Sequence, residues 1–206
     1  MATDNPTSDV PFSPGLGHIP HLLTAADLAA MPSELPSGPV RFELDNGVLI
    51  TMSPPGGEHG FAENVIAREL GNQGQVTGLG ISVCGEVGII LRRNPDRVVG
   101  ADVAYFSKSK FPVKRSREGY YETIPDLVVE VESKNDTRAY LKRKVSDYHL
   151  AGVSIVWIVN PKKRTLVEYR AGLAPVTFDE AATVELPGLI PGFRLRLADV
   201  FNDPSV

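Results

Sequence analysis

The sequence predicts an α/β fold in which a mixed β-sheet is flanked by helices and entered through an N-terminal helix and β-hairpin. Three observations carry this expectation. Two apolar runs flank Asp45-Asn46-Gly47, a tight-turn signal for a hairpin. Residues 59–71 repeat apolar side chains at helical spacing. Residues 126–159 read as strand, helix, strand, and such a β–α–β unit sets two strands parallel.

Each element follows in chain order. Residues 1–21 carry Pro6, Pro11, Pro14 and Pro20 and read as a flexible leader, with 22–203 as a single domain. Thr24 is the expected N-cap of a helix over AADLAAM, which Pro32 stops. A Pro-rich link, 32–39, leads to the hairpin strands VRFEL and VLITM. Pro54-Pro55-Gly56-Gly57 breaks the chain before the helix that presents Phe61, Val65, Ile66, Glu69 and Leu70. Short strands are expected at 80–84, 87–92 and 102–106, then a basic loop over 107–119. The central strand is PDLVVEVES, 125–133, followed by a helix at 137–151 and the buried strand IVWIV at 155–159. Asn160-Pro161 turns into a strand at 165–170; a weak strand near 183–186 and a short helix near 197–201 close the chain.

Composition narrows the function classes. With 206 residues and 42% hydrophobic content the chain supports one real core and excludes wholesale disorder. The net charge of −4 lies in residues 1–40, which hold four acids and no Lys or Arg. The remaining body is neutral but banded: an acidic stretch at 118–132 lies between basic stretches at 107–117 and 133–170. Cys84 is the only cysteine, which excludes an intrachain disulfide and reads as a core thiol. No apolar run reaches membrane-spanning length and no secretory signal is visible, so a cytoplasmic location is expected.

The central strand concentrates the chemistry. Leu127, Val129 and Val131 alternate with Asp126, Val128, Glu130 and Glu132, so the acids share one face of a strand whose other face is aliphatic. Carboxylates gathered this way face water, cations or a metal. On the following helix Leu141, Lys144, Val145 and Tyr148 form the inward stripe, which aims Lys144 back at that strand and leaves Lys142 and Arg143 outside. Asp102 opens the segment DVAYF, and Asp102 with Glu130 on adjacent strands suits one Mg²⁺ or Mn²⁺ ion. The sequence holds no Cys/His ligand cluster, so a structural zinc site is not expected.

The ordered set FELDNGVL, SPPGGEHG, GADVAYF, PDLVVEVES, Lys144 with Tyr148, and AGVSIVWIVNP resembles the Uma-two family of putative restriction endonucleases, within the PD-(D/E)XK nuclease superfamily. The resemblance spans about residues 22–200 and implies a restriction-endonuclease-like sheet. It implies that Asp102 and Glu130 bind the metal, with the Val131 carbonyl as a further ligand. Lys144 stands in for the superfamily lysine, whose usual place is taken by Glu132, and Ala101 stands where a proline is usual. Glu43 and His59 match family positions that line the site. Glu132 and Lys134 spell a second E-x-K element, but Ser133 ends the strand in this family, which favours Glu130 with Lys144.

The implied activity is divalent-metal-dependent hydrolysis of DNA phosphodiesters, an endodeoxyribonuclease, with Lys144 stabilising phosphate charge or orienting water. Lys108, Lys110, Lys114, Arg115, Arg117, Arg138 and Lys142 are the expected DNA contacts. No organic cofactor or membrane partner is expected, and a homodimer suits a cutter of both strands. The alternative reading is a non-catalytic nucleic-acid-binding or regulatory module on a nuclease fold, motivated by Glu132 at the usual lysine position.

Overall fold

Asn46 and Gly47 adopt positive φ angles of 55° and 76°, which closes the expected hairpin with the twist its strands need. A side chain at position 47 would meet Leu22 Cβ at 2.7 Å, so the turn also seats the incoming chain. These features come from a computed structural model that describes residues 21–204 apart from Ser37 and Ser53; the expected leader lies almost wholly outside that range.

The chain begins with α1 (Ala25–Ala29), capped by Thr24, whose side chain and backbone exchange hydrogen bonds with Asp27. Two short paired strands follow, β1 (Glu34–Leu35) and β2 (Gly38–Pro39). The hairpin is β3 (Arg41–Asp45) and β4 (Val48–Met52). Then come α2 (Gly57–Leu70), extended by a π-turn at Gly71–Gln75, and the long strands β5 (Gly80–Arg92) and β6 (Arg97–Ser107). The centre is β7 (Leu127–Val131), α3 (Arg138–Ala151) and β8 (Ile155–Asn160). The chain ends with β9 (Thr165–Arg170), β10 (Val176–Asp179), β11 (Thr183–Leu186), β12 (Ile190–Arg196) and α4 (Leu197–Phe201).

The main sheet runs β10-β9-β8-β7-β6-β3-β4, and β5 pairs with β6 as well. Among the described strands only β7 and β8 pair in parallel, as the β–α–β reading requires. Alternate residues serve two layers. Leu127, Val129, Val131, Ile155, Trp157 and Val159 pack against α2, α4 and the β11–β12 hairpin. Val128, Val156 and Ile158 pack against Leu141, Val145 and Tyr148 of α3. Among the described residues no helix is long and apolar enough to cross a membrane.

Several boundaries differ from expectation for local reasons. The strands expected at 80–84 and 87–92 are one strand, bent by a bulge at Gly85 and Glu86, both at positive φ. Cys84 borders that bulge and is exposed, which corrects its reading as a core thiol. The central strand spans only five residues, all buried, so Asp126 and Glu132 fall outside it and the expected three-acid face does not form. Asp126 accepts the Ser107 N–H at 2.8 Å, and Glu132 accepts from Asn160 Nδ2.

Trp157 is fully buried, packs near Phe193 and donates its indole N–H to Glu168 Oε2 at 2.9 Å. Trp157→Ala is expected to destabilise the protein by about 3–5 kcal/mol, combining lost burial with the loss of one hydrogen bond to Glu168, whose carboxylate keeps Arg170. Urea unfolding followed by circular dichroism measures this; a loss under about 1 kcal/mol contradicts the packing described.

Candidate active site at a split in the sheet

β6 is longer than either β7 or β3, which share one of its edges, and this creates the site. One edge of β6 pairs with β5 along its whole length. The other edge is shared: β7 pairs at residues 103–105 and β3 only at Val98. Residues 99–102 therefore face a gap between β7 and β3. Backbone groups at that gap need other partners. Glu43 Oε1 accepts the Gly100 N–H at 3.0 Å, and Asp102 Oδ2 accepts the Val131 N–H at 2.6 Å. The Gly100 carbonyl accepts from Lys144 Nζ at 3.2 Å.

Two connected groups of side chains fill the gap. On the α3 side, Lys144 is 3% exposed and its ammonium reaches three acceptors: Glu130 Oε2 at 2.9 Å, Glu43 Oε1 at 3.0 Å and the Gly100 carbonyl. All three of its hydrogens are thereby engaged. Tyr148 donates its hydroxyl to the other oxygen of Glu130. Tyr140 and Arg97 donate to Glu43 Oε2, at 3.2 and 3.4 Å. On the α2 side, His59 Nε2 lies 3.2 Å from Asp102 Oδ2, and Glu63, one turn further along α2, accepts the Gly85 N–H of the bulge at 2.7 Å.

His59, Glu63 and Asp102 each offer one ligand atom, and these lie within 4.8 Å of one another. His59 Nδ1 is buried with no hydrogen-bond partner, so the cluster has an unused donor as well as hard oxygens. This set fits a Mg²⁺ or Mn²⁺ ion. Glu130, expected as the second metal carboxylate, accepts from Lys144 and Tyr148.

Electrostatics follow from burial. Desolvation pushes the Glu130 carboxyl up to about 8 against the pull of Lys144, with Asp102 and Glu43 adding to the rise. Burial opposes the Lys144 charge, but Glu130 and Glu43 hold it well above its ordinary range. Glu43 is lowered despite burial, because Lys144 and Arg97 flank it. Burial and the Asp102 charge raise Glu63 and Glu86. For His59 burial acts downward, but the hydrogen bond and charge of Asp102 raise it overall.

The five residues expected at the centre, Glu43, His59, Asp102, Glu130 and Lys144, are thus all buried around the one gap. Val131 contributes its N–H to Asp102. Glu132 lies beyond the strand and Lys134 is exposed. A cleft of about 580 Å³ opens beside His59, and its walls include Tyr140, Glu132, Lys134 and Lys162. Arg138 and Lys142 are exposed on the outer face of α3. Lys108, Lys110, Lys114, Arg115 and Arg117 lie on the loop beyond the C-terminal end of β6 and do not line that cleft. There Lys110 pairs with Asp126 at 3.7 Å and Arg115 lies over the Tyr121 ring. Sequence reasoning missed Glu63, Glu86 and Arg97. The i, i+4 spacing of His59 and Glu63 on one helix was the available signal; Glu86 and Arg97 depend on the bulge and the split.

A sequence model of the Uma2 family, described as "Putative restriction endonuclease", matches residues 26–198. No curated protein matches the chain. A crystal structure described as a putative nuclease belonging to DUF820, from Anabaena variabilis, is similar with a TM-score of 0.67 and 19% identity, covering 84% of this chain and 93% of that one. At that identity the likeness is one of fold.

Glu130 binds its proton more tightly in the folded than in the unfolded chain, so its contribution makes stability fall as pH rises from about 4.5 to about 8. Raised Glu63, Glu86 and His59 act in the same direction. In the presence of a chelator, unfolding stability is expected to decline over that range, and Glu130→Gln is expected to flatten the decline. Parallel curves for the two proteins contradict the assignment.

Proposed function

The chain belongs to the Uma2 family, and from that membership and the chemistry of the split we propose that it hydrolyses DNA phosphodiester bonds with a divalent cation. The observation that carries the reading is a fully engaged buried lysine set against two carboxylates and beside a His-Glu-Asp cluster. Burying this many charges is costly for a fold and is characteristic of reaction centres.

Asp102 is the ligand common to every arrangement we consider, with Glu130 and the Val131 carbonyl from β7 and with His59 and Glu63 from α2. A bound Mg²⁺ or Mn²⁺ would offset charge on a phosphate oxygen and lower the pKa of a bound water. Lys144 supplies a fixed positive charge for the phosphate or orients the attacking water. Since its three hydrogens are already engaged, direct contact with a phosphate requires one acceptor to give way. Glu130 is the acceptor whose carboxyl is held most weakly as an anion, because burial raises it. Tyr148 steadies the Glu130 carboxyl, and Arg97 and Tyr140 steady Glu43. Lys134 and Lys162 at the cleft, with Arg138 and Lys142 on α3, suit the flanking phosphates. The alternative of a non-catalytic module rests on Glu132, which here turns to Asn160 and away from the Lys144 network.

Plasmid nicking with Mg²⁺ or Mn²⁺ tests the proposal. Asp102→Ala and Glu130→Ala are expected to abolish it, and Lys144→Met to slow it by about 10²–10³-fold. Equal activity in the wild type and the Asp102 and Glu130 variants sinks the reading. Binding without nicking by the wild type favours the non-catalytic module.

DNA affinity is expected to fall with salt. Replacing Arg138 and Lys142 by Gln should reduce the slope of log K against log salt by about 1 per residue that contacts a phosphate. An unchanged slope removes α3 from the interface.

A further inference from the structure

Arg97 is a buried arginine, 1% exposed, at the start of β6 and outside the cation cluster. Its planar fork spans two elements. Nε donates to Asp147 Oδ2 on α3 at 2.9 Å. Nη1 donates to the Leu44 carbonyl at 2.9 Å and to Glu43 Oε2 at 3.4 Å, both on β3. Asp147 lies three residues after Lys144 on α3, and Lys144 in turn holds the other oxygen of Glu43. The hydrogen bonds thus form a closed ring: Asp147 to Arg97 to Glu43 to Lys144, and back along the helix to Asp147. We propose that Arg97 is a positioning residue for Lys144, fixing through Glu43 the point at which the ammonium is held.

The ring explains why an arginine occupies this place. Lysine offers one compact ammonium and cannot reach α3 and β3 with the same fixed fork. Without the guanidinium, Glu43 Oε2 keeps only the Tyr140 hydroxyl, and the carboxylate loses its second cation. The Lys144 anchor then depends on a carboxylate held only by the Gly100 N–H and the Tyr140 hydroxyl, with no guanidinium to fix it against β6. Arg97 does not share the His59, Glu63 and Asp102 donor set, so its loss should leave cation binding there intact. What Lys144 does for catalysis rests on the nuclease reading; how it is held does not.

The test is the proton-exchange rate of the Lys144 ammonium in ¹H–¹⁵N spectra of the full chain, assigned with Lys144→Arg. Wild type, Arg97→Lys, Arg97→Gln and Asp147→Asn are compared, with plasmid nicking measured in parallel. The wild-type ammonium should exchange slowly. Arg97→Gln should speed exchange by about tenfold or more, the loss expected for one charge-assisted hydrogen bond, with Arg97→Lys intermediate. Asp147→Asn should shift exchange in the same direction, and it decides the matter if Arg97→Gln does not fold. In an active enzyme Arg97→Gln should lower kcat and leave KM and Mn²⁺ affinity unchanged. An unchanged Lys144 exchange rate in the folded variants, whatever their thermal stability, overturns the proposal. Faster exchange in a protein whose wild type never cuts DNA supports the positioning role while rejecting the nuclease reading.

Discussion

The structure depends on one strand edge shared by two partners. β6 is long enough that β7 and β3 each cover only part of the same edge, and residues 99–102 are left between them. Unpaired backbone groups in a buried sheet cost free energy unless side chains take over. Here Glu43 and Asp102 do so by accepting the N–H groups of Gly100 and Val131. A gap that could have been a packing defect thereby becomes a place where carboxylates are obligatory, and their charge then demands cations.

Those cations come from both flanking helices and from the strand itself. α3 contributes Lys144, β6 contributes Arg97, and α2 brings the His59 imidazole to the other side, with the acidic Glu63 beside it. Such buried ionic groups stabilise a fold weakly, since desolvation offsets most of their attraction. The raised Glu130 carboxyl is the clearest sign of that cost. On the proposed nuclease reading the arrangement is preorganisation: charges are set in place before a phosphate arrives, and only one acceptor of Lys144 need give way when it does. Glu43 links the two demands, since one oxygen caps the gap and holds Lys144 and the other receives Arg97.

Much of this was legible because helices and strands impose simple periods. The inward stripe at Leu141, Lys144, Val145 and Tyr148 is buried as its spacing required, and the Asn46-Gly47 turn closes as its residue types demanded. The family resemblance brought Glu43 and His59 to the same centre, and both are buried there. Period alone misjudged the central strand. Asp126, Glu130 and Glu132 share a parity, but the strand covers only Leu127–Val131, and each acid has its own partner. Glu86, which sits on the bulge and pairs with Arg41, and Arg97 were illegible because their places follow from a bulge and from unequal strand lengths, which no local pattern announces. The same limit applies to the bands of charge: the +5 stretch at 107–117 was counted with the site, yet it leaves β6 at the far end from the 580 Å³ cleft.

The most direct test of the account is a crystal structure of the full chain soaked in Mn²⁺, with anomalous data collected at the manganese edge. The account predicts an anomalous peak at Asp102, within ligand reach of donors from α2 or β7, while Lys144 stays beside Glu43. No peak at Asp102 under conditions where Mn²⁺ occupies surface carboxylates would contradict it.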